Sequence, residues 1–233
     1  MTPDHAVHVR ENHSVLARSE QRALVWIARR LPPSVNSDHL SALGLGAMAT
    51  AGVSFAAFPF TRWAAFGVVL SLAANWFGDS LDGTVARVRH QQRPRYGYYV
   101  DHVMDVAGSA MLLAGMACSG LMSPVVALGV LAVYLLVSAE SYLATHAAGV
   151  FRMSFLGFGP TELRIVLAIG ALRAAHSPWA ALGIAEPMRL FDVGGTIAIP
   201  GRLIAFLVSS VRNTRALYIA EPLPSRGTES RAA

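Results

Sequence analysis

Residues Gly78 to Asp105 read GDSLDGTVARVRHQQRPRYGYYVDHVMD, and this segment holds four of the seven aspartates in the chain. Asp79 and Asp82 lie three positions apart, so they share one face of a helix. Asp101 and Asp105 lie four positions apart and share a face in the same way. A turn-like Arg-Pro-Arg lies between the two pairs. The segment therefore predicts an antiparallel helix pair in which two carboxylate faces meet.

The composition of the chain indicates that this helix pair lies in a membrane. The 233 residues are 54% hydrophobic and 14% charged, whereas soluble proteins carry about 25% charged residues. A net charge of +5 could suit a nucleic-acid binder, but the charges fall between long apolar runs. We therefore predict an all-α integral membrane protein that has no nucleic-acid partner.

Long apolar runs predict six transmembrane helices of about twenty residues each. They cover residues 39–60, 63–82, 97–120, 124–146, 160–175 and 190–211. Before them, residues 14–31 place arginines on one helical face and apolar side chains on the other. This pattern is typical of an amphipathic helix lying in the membrane interface on anionic lipid. The chain then divides into a cytoplasmic arm with this helix (1–33), a six-helix transmembrane catalytic domain (34–215) and a disordered cytoplasmic tail (216–233).

Arginine positions predict the orientation, because the cytoplasmic side of a membrane protein carries the excess of positive charge. With the N-terminus in the cytoplasm, fourteen arginines lie on the inner side, and only Arg62, Arg173 and Arg189 lie outside. We therefore expect a multi-pass protein of the cell inner membrane. Both termini and the aspartate cluster should face the cytoplasm.

Carboxylates gathered on two facing helices repel one another, so the arrangement needs counter-charge. Oxygen ligands favour Mg²⁺ or Mn²⁺, and two ions about 3.5–4 Å apart are a common device for stabilising phosphoryl-transfer charge. Gly83, Ala86 and Gly97 lie one turn from the aspartates, which leaves room for a planar base and a pyrophosphate. The alternative is that the aspartates only cap helix ends or pair with arginines.

The same residues resemble the signature of the CDP-alcohol phosphotransferase family. This signature is D-x-x-D-G-x-x-A-R followed, after eight or nine residues, by G-x-x-x-D-x-x-x-D. With a spacer of nine residues, the fixed positions are matched by Asp79, Asp82, Gly83, Ala86, Arg87, Gly97, Asp101 and Asp105. The resemblance implies a reaction in which an alcohol hydroxyl attacks the distal phosphorus of a CDP-linked donor, forms a phosphodiester and releases CMP.

The resemblance also implies a role for each matched residue. The four aspartates would bind the metal ions, and Asp105 would also act as the general base. Gly83, Ala86, Arg87 and Gly97 would line the nucleotide site, with Arg87 contacting phosphate. The family further implies a homodimer.

Three additional features bear on the acceptor. His102 follows the third aspartate, as in the D-H-x-x-D of the choline and ethanolamine phosphotransferase branch, where the histidine is a candidate base. The alternative is a helix-end histidine that faces lipid or a loop. Glu140 with Tyr142, and residues 159–162, resemble the E-x-Y and G-P-x-E elements of that branch. Residues 141–149 contain no arginine, unlike members of the family that take phosphorylated acceptors.

Four charged residues in the later spans are predicted to form the substrate pocket, or else to pair and hold these spans together. They are Glu140, Glu162, Arg164 and Arg202.

We therefore predict a phosphotransferase of phospholipid biosynthesis, and two directions of transfer remain open. Either CDP-diacylglycerol gives its phosphatidyl group to a small alcohol, or a CDP-aminoalcohol gives its head group to diacylglycerol. The alternative from another class is a divalent-cation transporter or channel that uses the same carboxylates. A transporter would place them near mid-membrane and would have no use for Gly83, Ala86 and Arg87.

Overall fold

The structure, a computed structural model, describes residues 17–148, 159–180 and 187–223. They form seven α-helices and one antiparallel pair of two-residue strands. The helices are α1 (Ala17–Ala28), α2 (Ser37–Ala56), α3 (Ala64–Val88), α4 (Pro94–Cys118), α5 (Pro124–Ala148), α6 (Pro160–Ala174) and α7 (Leu190–Ala220). The strands are β1 (Trp179–Ala180) and β2 (Met188–Arg189). The predicted all-α class is confirmed.

Four of these helices, α2, α3, α5 and α7, are long and apolar enough to cross a membrane. With 15 residues, α6 is shorter than the about 20 residues that a span needs. The helix α4 has 25 residues, but Asp101, His102 and Asp105 lower the hydropathy of its first half. The four apolar helices support an integral membrane protein, while the count of six spans and the orientation stay predictions.

Two helices extend beyond the apolar runs that predicted them. The structure continues α3 to Val88 and α7 to Ala220. Hydropathy marks where a chain leaves the apolar layer, whereas a helix ends only where its backbone hydrogen bonds stop. The prediction that the disordered tail begins at residue 216 is therefore wrong, because residues 216–220 belong to α7. Residues 1–16 of the arm and 224–233 of the tail lie outside the described residues.

The helix α1 packs its apolar face against α3. Leu24 and Ala28 are buried in a cluster with Leu81 and Val85. Trp26, on the opposite side of α1, is 58% exposed. These contacts explain why one face of α1 is apolar, and its position in the membrane interface stays a prediction.

A single carboxylate connects α1 to two later helices. Glu20 Oε1 accepts a hydrogen bond from Trp76 Nε1 of α3 at 2.6 Å. The same oxygen accepts another from Thr161 Oγ1 at the start of α6, at 3.0 Å. The N-terminal helix is thus tied to α3 and α6 together.

Glycines allow α2 to pack closely against both α3 and α4. A methyl group added at Gly78 of α3 would lie 2.5 Å from the carbonyl oxygen of Leu40. One added at Gly115 of α4 would lie 1.9 Å from the carbonyl oxygen of Gly52. Such backbone approach is possible only without side chains. It fixes α3 and α4, which carry the aspartates, on a common support.

The connection between α3 and α4 is short and firmly held. It contains His90 in the left-handed region, with φ 54°, and α4 starts at Pro94, which suits the first helical position. Arg89 donates hydrogen bonds to the carbonyl oxygens of Leu31, Pro32 and Val35. These bonds tie the connection to the segment that joins α1 and α2.

Candidate active site

Three of the four predicted aspartates come together between α3 and α4. Asp79, Asp101 and Asp105 each offer a carboxylate oxygen, and these oxygens lie within 4.8 Å of one another. All three residues are half-buried. Helical spacing explains the arrangement, because Asp101 and Asp105 lie one turn apart on α4 and Asp79 reaches them from α3. We call these three residues the acid cluster.

Asp82, the fourth aspartate, is directed to α2 instead. Its Oδ2 accepts a hydrogen bond from Ser41 Oγ at 2.6 Å, and the backbone N–H of Gly83 donates to its Oδ1 at 2.5 Å. Asp82 is not among the three carboxylates that converge. Its role as a metal ligand stays a prediction.

The acid cluster has a basic partner on α6, which the sequence analysis did not pair with an aspartate. Arg164, predicted for the substrate pocket, donates from Nη2 to Asp79 Oδ2. Its Nε donates to Asn75 Oδ1 at 2.7 Å. Asn75 in turn donates from Nδ2 to the carbonyl oxygen of Gly44 at 2.9 Å. Arg164 therefore forms an ion pair with an aspartate of the acid cluster. Asn75 connects this pair to the backbone of α2.

Sequence reasoning missed Asn75 and Ser41, although each carried a signal. Asn75 lies four residues before Asp79, so it shares the helical face of that aspartate, and it is a buried amide in an apolar span. Ser41 lies in the first turns of the predicted first span. Polar side chains at such positions require partners, and here each finds a partner in or beside the site.

His102 is buried in an aromatic environment. It is 7% exposed, and its ring centroid lies 4.1 Å from that of Tyr98 and 4.7 Å from that of Tyr142. Its Nδ1 is 3.9 Å from Asp101 Oδ2. The alternative that His102 faces lipid or a loop is therefore wrong. The ring fills the contact between α4 and α5 next to the acid cluster.

Two predicted pocket residues make structural contacts. Glu140 accepts hydrogen bonds from Ser209 Oγ at 2.8 Å and from Asn213 Nδ2 at 2.7 Å, which joins α5 to α7. Glu162 Oε2 accepts from the backbone N–H of Gly159 at 3.0 Å, which caps the start of α6. These contacts explain both carboxylates without a substrate.

Arg202, the fourth predicted pocket residue, lies on α7 and faces α5. Its guanidinium carbon is 5.6 Å from the ring centroid of Tyr134, a distance at which a cation is attracted to the ring face. Tyr134 interacts with Ser109 of α4 and with Ser138 of α5. Polar groups from α4, α5 and α7 therefore meet here.

In the predicted nucleotide site, Gly97 borders open space and Gly83 is covered by the side chain of Arg87. A methyl group on Gly97 would meet nothing within 4 Å, and one on Gly83 would meet the side chain of Arg87 at 3.2 Å. Arg87 donates from Nη2 to Thr84 Oγ1 at 3.0 Å. A cavity of about 460 Å³ lies beside Ala86. It is lined by Asn36, Ser37, Asp38, Val85, Ala86, Gln91, Gln92 and Arg93.

One ion pair closes the edge of this cavity. Arg93 Nη2 donates to both carboxylate oxygens of Asp38, at 2.5 and 2.6 Å. This hydrogen bonding raises the pKa of the Arg93 guanidinium above its ordinary value. The pair joins the start of α2 to the residue before α4.

The chemistry of the acid cluster fits a divalent cation. Carboxylate oxygens are the ligands that Mg²⁺ and Mn²⁺ prefer, and three of them converge from two helices. A separate cavity with a mixed polar and apolar lining lies further along α3, beside Val85 and Ala86. The acid cluster itself can thus hold a metal ion.

Comparison with known proteins agrees with this site. The family model for CDP-alcohol phosphatidyltransferase matches residues 40–197. Among solved structures, the fold is similar to that of Mycobacterium tuberculosis phosphatidylinositol phosphate synthase (PgsA1) with CDP-DAG bound. The two share a TM-score of 0.57 and 20% sequence identity, over 91% of this chain and 99% of that chain. No curated protein sequence matches the chain.

The matched region contains the whole acid cluster, the predicted nucleotide site and Arg164, and it spans more than half of the chain. The chain therefore belongs to the CDP-alcohol phosphatidyltransferase family and is a transferase of phospholipid synthesis.

Proposed function

We propose that the protein transfers the phosphatidyl group of CDP-diacylglycerol to a small, unphosphorylated alcohol and releases CMP. The observation that carries this proposal is the convergence of three motif aspartates within 4.8 Å, in a chain of this family. The donor is chosen because the solved structure with a similar fold has CDP-DAG bound.

The residues that would hold the metal are Asp79, Asp101 and Asp105, with Asp82 beside them. Two Mg²⁺ or Mn²⁺ ions bound there would neutralise the diphosphate and the departing CMP. Arg87, on the turn after Asp82, would contact phosphate, and Ala86 would border the nucleotide in the cavity of about 460 Å³.

We propose Asp105 as the general base. Its carboxylate would accept the proton of the alcohol hydroxyl while the alcohol oxygen forms a bond to the distal phosphorus. The bond between that phosphorus and the CMP oxygen breaks, and CMP leaves with the electron pair. His102 is less suited to this role, because its ring is buried between Tyr98 and Tyr142.

The structure weakens the support for transfer of a head group to diacylglycerol. That direction rested on His102 and on the likeness of Glu140 and Glu162 to the choline and ethanolamine branch. Glu140 holds α7, and Glu162 caps α6. In this chain both elements have a packing role, and their presence does not by itself indicate the substrate of that branch.

The choice of an unphosphorylated acceptor follows from where the arginines lie. Arg164 is engaged with Asp79, and Arg202 lies against the ring of Tyr134. No arginine occurs in residues 141–149, at the end of α5. A phosphorylated acceptor would need cations there.

The family membership favours the transferase over the divalent-cation transporter. We further propose that the protein lies in the inner membrane and that its active site and both termini face the cytoplasm. The family and the exposed apolar helix faces are also compatible with a homodimer.

The test is a matrix of donors and acceptors with the purified protein. CDP-diacylglycerol, CDP-choline and CDP-ethanolamine would each be combined with small alcohols, their phosphates and diacylglycerol, and CMP release would be measured. We expect release only from CDP-diacylglycerol with an unphosphorylated alcohol. Release from a CDP-aminoalcohol with diacylglycerol would establish the other direction. Mn²⁺ uptake into proteoliposomes with no CMP release from any pair would favour the transporter.

A further inference from the structure

Arg164 is a largely buried charged residue that forms an ion pair within the protein. Its side chain is 15% exposed, and it lies against Asp79, whose side chain is 29% exposed. Glu162, two residues earlier on α6, cannot face it on the same helix and caps the helix start instead. A cation so far from water needs a partner of opposite charge, and Asp79 supplies it.

Asn75 sets the direction of the Arg164 side chain. It is 6% exposed, and its amide nitrogen donates to the carbonyl oxygen of Gly44. Because the nitrogen is used there, the amide oxygen must point the other way, where it accepts from Arg164 Nε. The guanidinium is therefore held on two sides, and Nη2 is aimed at Asp79.

The contact falls on a carboxylate of the acid cluster. Asp79, Asp101 and Asp105 bring three carboxylates within 4.8 Å of one another, and Arg164 adds a positive charge beside one of them. A divalent cation needs the same carboxylate. The guanidinium and a metal ion on Asp79 would repel each other, since like charges at such distances interact strongly in a partly buried site.

We infer that Arg164 is the resident counter-ion of Asp79 and that it competes with a divalent cation for this carboxylate, with Asn75 as its positioning residue. This inference rests on the metal site of the proposed function. Arg164 keeps the carboxylates assembled when no metal is bound, and it weakens metal binding in the absence of the nucleotide. If Asp79 bound no metal, loss of Arg164 would have no such effect on metal affinity.

The test measures Mn²⁺ binding to the full-length purified protein without nucleotide. The electron paramagnetic resonance signal of free Mn²⁺ reports how much of the ion remains unbound. Arg164→Gln removes the charge and should tighten Mn²⁺ binding about tenfold, a size typical for changes next to a metal ligand. Arg164→Lys keeps the charge and should stay within about threefold of the wild type.

The matched control is Arg173→Gln on the same helix. Arg173 is exposed and donates to the carbonyl oxygen of Ser177, far along α6 from the acid cluster. Its loss should leave Mn²⁺ affinity unchanged. Equal or weaker Mn²⁺ binding by a folded Arg164→Gln protein would overturn the inference, as would equal tightening in Arg173→Gln.

A second variant covers the case in which Arg164→Gln does not fold. Asn75→Ala leaves both charges in place but releases Arg164 Nε, so the competition should weaken and Mn²⁺ should bind about threefold tighter. Unchanged or weaker binding in this variant would count against the inference. Thermal unfolding gives an independent readout, because added Mn²⁺ should raise the Tm of the variant more than that of the wild type.

Failure of this inference can be told apart from failure of the proposed function. If the wild type releases CMP but Arg164→Gln binds Mn²⁺ no more tightly, only the counter-ion role is wrong. If Mn²⁺ binding tightens but no donor yields CMP, the counter-ion role stands and the proposed reaction is wrong.

Discussion

The backbone of Gly52 in α2 and that of Gly115 in α4 are so close that a methyl group on Gly115 would lie 1.9 Å from the Gly52 carbonyl oxygen. This contact lies on the helix that carries Asp101 and Asp105. The short distance between α2 and α4 depends on the absence of a side chain at Gly115. The position of both aspartates relative to α2 depends on it as well.

Replacing Gly115 with Ala should therefore destabilise the protein. Overpacking of a tight interior costs about 1–3 kcal/mol, and a backbone contact leaves little room to relax. Thermal unfolding in detergent measures the effect. Gly46→Ala in α2 is the control, because nothing lies within 4 Å of its added methyl group. A Tm for Gly115→Ala equal to that of the control would contradict the packing described here.

Asp105→Asn should abolish CMP release from a protein that still folds. The amide cannot accept the alcohol proton and is a poorer metal ligand, so we expect a loss of at least about 10²–10⁴-fold. Turnover is measured as CMP release from CDP-diacylglycerol. Asp192→Asn is the control, since Asp192 lies outside the signature and its Oδ1 accepts a hydrogen bond from the Ser123 backbone N–H, which an amide oxygen can also accept. Near-normal turnover by Asp105→Asn would remove Asp105 from the mechanism.

His102→Phe separates a packing role from a proton-transfer role. The phenyl ring can occupy the space between Tyr98 and Tyr142, so kcat should fall less than about tenfold if His102 mainly packs. A base would instead cost about 10²–10⁴-fold when lost. His102→Ala, which empties the space, should lower the Tm more than His102→Phe does. A loss of the larger size in a stable His102→Phe protein would return the base to His102.

Glu140→Ala tests whether this carboxylate binds substrate or holds α7. Without it, Ser209 and Asn213 lose their acceptor, which should cost about 1–3 kcal/mol of unfolding free energy. The KM for the acceptor alcohol should not change. Ser209→Ala provides a matched loss of one of the two bonds and should give a smaller decrease in Tm. A raised KM at an unchanged Tm would place Glu140 in the acceptor pocket.

The local part of the site could be predicted from the sequence because helical spacing fixes which residues share a face. Asp101 and Asp105 share one face of α4 as their spacing indicated, and Asp79 of α3 meets them, whereas Asp82 does not join them. Hydropathy located the apolar centre of each long helix, because it too depends only on residues that are close in the sequence. It ended α3 too early because the polar turn with Arg87 remains helical.

The long-range part could not be predicted from one sequence. Arg164 lies 85 positions after Asp79, and spacing along the chain says nothing about contacts between distant helices. The sequence leaves two roles open for Arg164 and Glu162, a substrate pocket or a structural pairing between the later spans. The structure shows an aspartate partner for Arg164 and a helix cap for Glu162. The turn of Asp82 toward Ser41 likewise depends on how α2 is placed.

Glu20 lies before the region that the family model matches, which starts at residue 40. Its carboxylate nevertheless bridges α3 and α6, the helices that carry Asp79 and Arg164. Contacts that hold the two helices of the acid cluster's ion pair therefore extend beyond the region that the family model matches. A version trimmed to residue 40 would keep every signature residue while losing the brace that keeps these two helices in register.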